Sequence, residues 1–255
     1  MHAVESADGT SIGYEVCGTG PPMVLVHGSA SDRHSWRGLI PHLSDAYSLV
    51  VPDRRGRGAS GDADGYHLDR EVEDVLAVVD SLEEPPVLFG HSYGALLSFV
   101  AEPELDLRAL ILYEPPILLG EYRESDLAPS MEAKLEAGDR RGALREFLEV
   151  AGGVAEVEQL PWWPEHANFD LLETVVRESY AVGEYQLPDE LSVSAPTLLL
   201  TGEYGPPHLR HAVQTLATRL PAASLVDLDG VGHVGIQTTP DRIASELLDF
   251  LGSQD

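Results

Sequence analysis

Residues 86–102 read "PVLFGHSYGALLSFVAE". The first part, "PVLFGH" (86–91), is an unbroken run of strand formers, the pattern of a strand buried on both faces. The last part, "YGALLSFVAE" (93–102), carries apolar residues at helical spacing. No loop separates them, only Gly90-His91-Ser92-Tyr93-Gly94, a G-x-S-x-G sequence. A strand that runs straight into a helix must turn sharply, and flanking glycines give the turn room. Ser92 at its apex is a candidate nucleophile, against the plain alternative of a serine in an ordinary strand–helix turn.

Outward from this stretch the same rhythm repeats. "MVLVH" (23–27), "YSLVVPD" (47–53), "LRALILYE" (107–114), "PTLLLTGE" (196–203) and "ASLVDLDG" (223–230) read as further strands. "HLDREVEDVLAVVDSL" (67–82), "PPHLRHAVQTLATRL" (206–220) and "TPDRIASELLDFL" (239–251) read as helices, the last with Thr239 as N-cap and Pro240 at its first turn. "GTGPP" (18–22) reads as a hairpin turn before a strand. Alternation of strand and helix predicts an open α/β sheet with right-handed crossovers. From about residue 117 to 191 no strand is convincing. "PSMEAKLEAGDRRGALREFLEVAGG" (129–153) and "NFDLLETVVRESYAVGEY" (168–185) look helical around an aromatic, proline-bounded corner, "LPWWPEH" (160–166). This predicts a core domain of residues 1–116 and 192–255, with 117–191 inserted as a small helical cap over the sheet's edge.

The totals narrow the function classes. A chain of 255 residues that is 43% hydrophobic can bury a sizeable core. No apolar run approaches the roughly 20 residues of a membrane span, and "MHAVESADGT" lacks the pattern of a signal peptide. Cys17 is the single cysteine, which fits a reducing compartment and leads to the expectation of a cytoplasmic protein. Acidic residues number 43 against 16 basic ones, a formal net charge of −27, and Lys134 is the single lysine. That balance excludes a broad basic footprint for nucleic acid and disfavours adhesion to anionic membranes. A GC-rich genome would swap lysine for arginine but does not explain the acid excess; the expectation is a halophilic protein from an acidic proteome, whose self-repulsion molar salt would screen. No metal-ligand spacing and no phosphate-cradling loop is evident, so no metal, no cofactor and a small-molecule substrate are expected. Oligomeric state is open.

With these motifs in place, the chain resembles the α/β-hydrolase superfamily almost end to end. "VLVHGSA" (24–30) is similar to the family's H-G-x loop, "VPDRRGRGAS" (51–60) to its D-x-R-G-x-G-x-S segment, and "GVGHVG" (230–235) to the loop that carries the catalytic histidine. The resemblance implies a mostly parallel sheet flanked by helices, Ser92 as nucleophile and His233 as its base, in the family's chain order. It also implies an oxyanion hole made by the backbone N–H groups of Ser29 and Tyr93. His91 should point its ring away from Ser92, His27 should order the H-G loop, and Asp53 and Arg54 should tie loops together rather than react.

The acid departs from the common pattern. Many members carry an aspartate after the seventh strand, where this chain has Gly205; Glu203 lies two residues early. Others place the acid after the sixth strand, and "LYEPP" (112–116) puts Glu114 there, in a turn stiffened by Pro115 and Pro116. A carboxylate fixed in that way would hold the histidine's tautomer and stabilise the imidazolium. The triad expected is Ser92–His233–Glu114, acting by acyl transfer on a small carboxylic ester. A thioesterase, lactonase or C–C bond hydrolase would use the same triad; a ligand-binding protein that lost turnover is the reading from another class. Trp162 and Trp163 are candidate pocket residues under the cap.

Overall fold

The computed structural model describes residues 1–160, 163–165 and 167–254. Eight strands form one sheet: β1 (His2–Glu5), β2 (Ser11–Gly18), β3 (Pro22–Val26), β4 (Ser48–Pro52), β5 (Val87–His91), β6 (Ala109–Tyr113), β7 (Thr197–Gly202) and β8 (Ser224–Leu228). Their order is β1-β2-β4-β3-β5-β6-β7-β8. β1 and β2, and β2 and β4, pair antiparallel; the other pairs are parallel. Among the described residues the helices are α1 (Ile40–Leu43), α2 (Leu68–Asp80), α3 (Tyr93–Ala101), α4 (Leu127–Glu136), α5 (Arg140–Val150), α6 (Leu172–Glu184), α7 (Pro207–Arg219), α8 (Gly235–Thr238) and α9 (Pro240–Gly252).

The unbroken apolar runs of the central strands follow from burial on both faces. Val24, Val26, Leu88, Leu110 and Leu112 pack with α2, α3 and α7. Their neighbours Met23, Leu25, Phe89, Ala109 and Ile111 face the other way, onto Trp36, Leu43 of α1 and Leu247 of α9. Successive side chains on a strand alternate faces, so both must be apolar when helices cover both. No helix of the described residues is long and apolar enough to cross a membrane.

The structure adds β1 and β2 to the six strands read from the sequence. The "GTGPP" turn joins β2 to β3, but these are not a hairpin: β4 lies between them. Thr239 precedes α9 as expected, yet its side chain caps no N–H; its Oγ1 donates to the Gly235 carbonyl at 3.3 Å.

Between β6 and β7 stand α4, α5 and α6, with no strand among the described residues of that segment. The run 129–153 is two helices, parted at Gly138, whose φ of 79° suits glycine. The segment has an apolar cluster of its own, built on Met131, Leu144, Val157, Trp163, Leu172 and Val175. All the parallel strands end at one edge of the sheet, where residues of this segment line a cavity together with Ser29 and Ser92. In open α/β sheets that carboxyl edge is where ligands bind.

Candidate active site

Ser92 follows β5 directly and has φ 54° and ψ −125°, a strained conformation for a residue with a Cβ. The surroundings dictate the glycines. A Cβ on Gly94 would overlap the Val26 carbonyl, and one on Gly90 would overlap Gly94 and Ala95. Gly28 approaches from the neighbouring loop, where a Cβ would lie 2.9 Å from that of Ser92. The Ser92 N–H donates to the Tyr113 carbonyl at 2.8 Å, which ties the turn to the end of β6.

Glu114 is the residue that follows β6. It is fully buried, with φ 49°. Its Oε2 accepts from His233 Nδ1 at 2.6 Å. Its Oε1 accepts from Thr201 Oγ1 and from the Gly202 N–H, both at 2.9 Å. A buried carboxylate is costly without such partners; here both oxygens have them. A Cβ on Gly205 would overlap Oε1, so the glycine after β7 leaves the space that the Glu114 carboxylate fills. Glu203 faces elsewhere: its Oε2 accepts from the Gly230 N–H at 2.7 Å.

His233 lies in the loop after β8, and neighbouring side chains hold that loop by its carbonyls. His91 Nε2–H donates to the His233 carbonyl at 2.8 Å, with the two rings 4.8 Å apart. Tyr113 O–H donates to the Gly232 carbonyl at 2.5 Å. Burial and the adjacent His233 push the His91 pKa down to about 3, so it stays neutral. His27 is fully buried; its Nδ1–H donates to the Gly28 carbonyl at 2.8 Å, while its Nε2 accepts from the Arg54 N–H at 3.2 Å. Asp53 accepts from the N–H groups of Arg33 and Ala59, at 2.9 and 2.7 Å.

A cavity of about 450 Å³ opens above Ser92, Ser29 and Tyr93. Leu118, Leu127, Phe147, Val182 and Leu209 give it apolar walls, and Glu121, Glu124, Asp126, Glu146 and Glu178 add acids. Lys134 Nζ reaches Glu146 at 2.8 Å and the Ser130 hydroxyl at 3.0 Å. No arginine or lysine lines the cavity among the described residues. His208 also lines it; burial and the nearby His233 lower its pKa to about 4. Tyr93 begins α3, where an N–H has no intrahelical acceptor.

Trp163 is placed differently from its expectation. It lies in the apolar cluster of the helical segment, edge-on to Phe169 at 5.8 Å and under the Arg141 guanidinium at 5.5 Å, and is not among the residues lining the cavity. Trp162 lies outside the described residues. No group of three or more histidine, cysteine or acidic side chains suited to a metal occurs among the described residues.

The sequence led to the expectation that Arg54 ties loops together, but it did not show the partner across the fold or the part played by Arg57. Arg54 and Arg57 meet Glu178 of α6, 124 and 121 residues later. The one local sign was "RRGR" (54–57), basic residues in a chain otherwise crowded with acids. His208 gave no sign at all, because only the fold brings α7 to the cavity.

The family model for the alpha/beta hydrolase family matches residues 23–246. An alpha/beta hydrolase from Sphaerobacter thermophilus has a similar structure, with a TM-score of 0.83, 34% identity, and coverage of 98% of this chain and 99% of that one. In sequence, the chain is 25% identical to the pimeloyl-[acyl-carrier protein] methyl ester esterase of Aeromonas hydrophila over 95% of this chain and all of that protein. It is 24% identical to a non-heme haloperoxidase of Rhodococcus erythropolis, over 99% of this chain and all of that protein. By these matches and by its sheet, the chain belongs to the alpha/beta hydrolase family.

Proposed function

We propose that the chain is a serine hydrolase that cleaves a small carboxylic ester by acyl transfer. The observation that carries the reading is the His233–Glu114 contact of 2.6 Å, made beside the strained turn that presents Ser92 to the cavity. In this mechanism Ser92 attacks the ester carbonyl while His233 takes its proton, and Glu114 stabilises the imidazolium. The N–H groups of Ser29 and Tyr93 bind the oxyanion. His233 then protonates the leaving alcohol, and water releases the acid by the reverse sequence. The helical segment 117–191 acts as the cap that closes the substrate's space.

The cavity size suits a small ester, and Glu121, Glu124 and Asp126 in its wall favour an uncharged or cationic one over an anionic one. The methyl ester esterase among the relatives supports ester chemistry, though that protein's acyl carrier substrate is not carried over. The test is labelling with a fluorophosphonate, which reacts with activated serines, followed by intact-mass analysis and peptide mapping. One adduct on Ser92, lost in Ser92→Ala, is the expected result. A folded protein without the adduct would favour a ligand-binding role.

A further inference from the structure

We propose that Glu178 is a positioning residue through which the helical segment sets the oxyanion hole; the inference rests on the serine hydrolase reading above. Ser29 N–H belongs to the same peptide unit as the Gly28 carbonyl. In a trans peptide these two groups point in opposite directions, so fixing the carbonyl fixes the donor. The Gly28 carbonyl is held on its far side by Arg54 Nη1 at 3.1 Å and by His27 Nδ1 at 2.8 Å. The Ser31 carbonyl, two residues past Ser29, is held by Arg57 Nη1 at 3.2 Å. Arg54 also covers the ring of Tyr93, the other donor residue, at 4.5 Å. Tyr93 O–H is in turn 2.5 Å from Tyr66 O–H. Two guanidinium groups thus brace both donors.

They are like charges in a buried place, and two carboxylates make that possible. Glu71, on α2, takes Arg54 at 2.8 Å. Glu178 takes both: its Oε1 accepts from Arg54 Nη2 at 2.7 Å and from Arg57 Nη2. Burial raises the Glu178 carboxyl pKa, but Arg54 and Arg57 outweigh burial and hold it below the usual range. Glu178 is 1% exposed and comes from α6, in the segment between β6 and β7; Arg177 of the same helix lies over the Tyr66 ring at 4.6 Å. Docking of α6 therefore completes the charge balance that keeps the 27–31 loop in place. A cap that lifts would carry Glu178 away and loosen the donors.

The test separates positioning from bulk stability. A trifluoromethyl ketone is the probe: Ser92 Oγ adds to its carbonyl carbon, the carbonyl electron pair moves to oxygen, and the serine proton goes to His233. Its adduct needs the oxyanion hole, whereas a matched amide, held as a ground-state analogue, needs the cavity alone. In Glu178→Gln, kcat on a p-nitrophenyl ester and affinity for the ketone should fall together by about tenfold to a hundredfold, the scale of a weakened oxyanion donor. Affinity for the amide should stay within about twofold. If Glu178→Gln does not fold, Arg57→Met releases the Ser31 carbonyl and leaves Arg54 paired; it should show the same pattern at about fivefold. Equal losses for ketone and amide, or no loss for either, would overturn the proposal. A folded wild-type protein inert to both ester and ketone would instead overturn the serine hydrolase reading beneath it.

Discussion

Gly205 and Glu114 divide one volume between them. The glycine gives up a side chain after β7, and the carboxylate from β6 occupies that space against Thr201 and Gly202. Glu114→Gln keeps the shape and removes the charge opposite His233, so kcat/KM for an ester should fall more than about tenfold, which is above ~1.4 kcal/mol of barrier. A smaller loss would sink the assignment. Adding Gly205→Asp to Glu114→Ala should recover about tenfold over Glu114→Ala alone, since the acid then arrives from β7 into the vacated space. The histidines make a pH prediction. His27 and His91 are held neutral by burial, reinforced by Arg54 and His233 respectively, so their folded pKa values lie below the unfolded value of about 6.5. The unfolded chain takes up protons that the native one refuses. Their contribution to stability is therefore complete above pH ~6.5 and declines below it, by about 1.4 kcal/mol per pH unit for each. Urea midpoints in molar KCl should drop between pH 7 and pH 5, and less steeply in His91→Gln. That the Glu114 carboxylate would need a partner was legible in "LYEPP", where it stands between a strand and two prolines. What it would touch was not, because Thr201 and Gly202 lie 87 and 88 residues away.

At the level of elements, the turn after β5 leaves no room for a side chain at Gly90 or Gly94. The Gly94 Cα faces the carbonyls of Val26 and His27. Gly94→Ala would force backbone apart, and overpacking of this kind costs about 1–3 kcal/mol. The urea midpoint should fall accordingly, and Ser92 labelling should slow with it. This turn was readable because strand, glycine spacing and helix all agree within 17 residues. β2 was not. Its "SIGYEVCG" buries Ile12 and Gly13 and leaves Ser11, Glu15 and Val16 exposed, so it has neither the apolar run of the central strands nor clean alternation. Its antiparallel pairing with β4 is a long-range choice that no local pattern announces. The helical segment was readable as helical, yet the placement of Trp163 in its own core depended on packing that sequence periodicity does not specify.

For the whole molecule, charge is the dominant variable. A net −27 on 255 residues repels itself over the Debye length, about 10 Å at 0.1 M salt and 3 Å at 1 M. We expect thermal unfolding to move to higher temperature as KCl rises from 0.1 M to the molar range, with ester hydrolysis following. Full stability and activity without added salt would remove the halophilic reading. The ion pairs around Arg54, Arg55 and Arg57 are buried and should not share this dependence. Screening should act on the exposed acids alone, which a salt titration of wild type and Glu178→Gln can compare.

The pair of Lys134 and Glu146 has a practical outcome. Apart from the α-amino group, Lys134 carries the chain's one primary amine, and its partners Glu146 and Ser130 are part of the cavity wall. An amine-selective dye would thus attach at a single, partly exposed landmark beside the cavity wall. With the terminal amine blocked, a polarity-sensitive fluorophore on Lys134 would change colour as a substrate displaces water beside it. The protein comes with its own attachment point for an optical reporter of occupancy, at no cost in engineered cysteines.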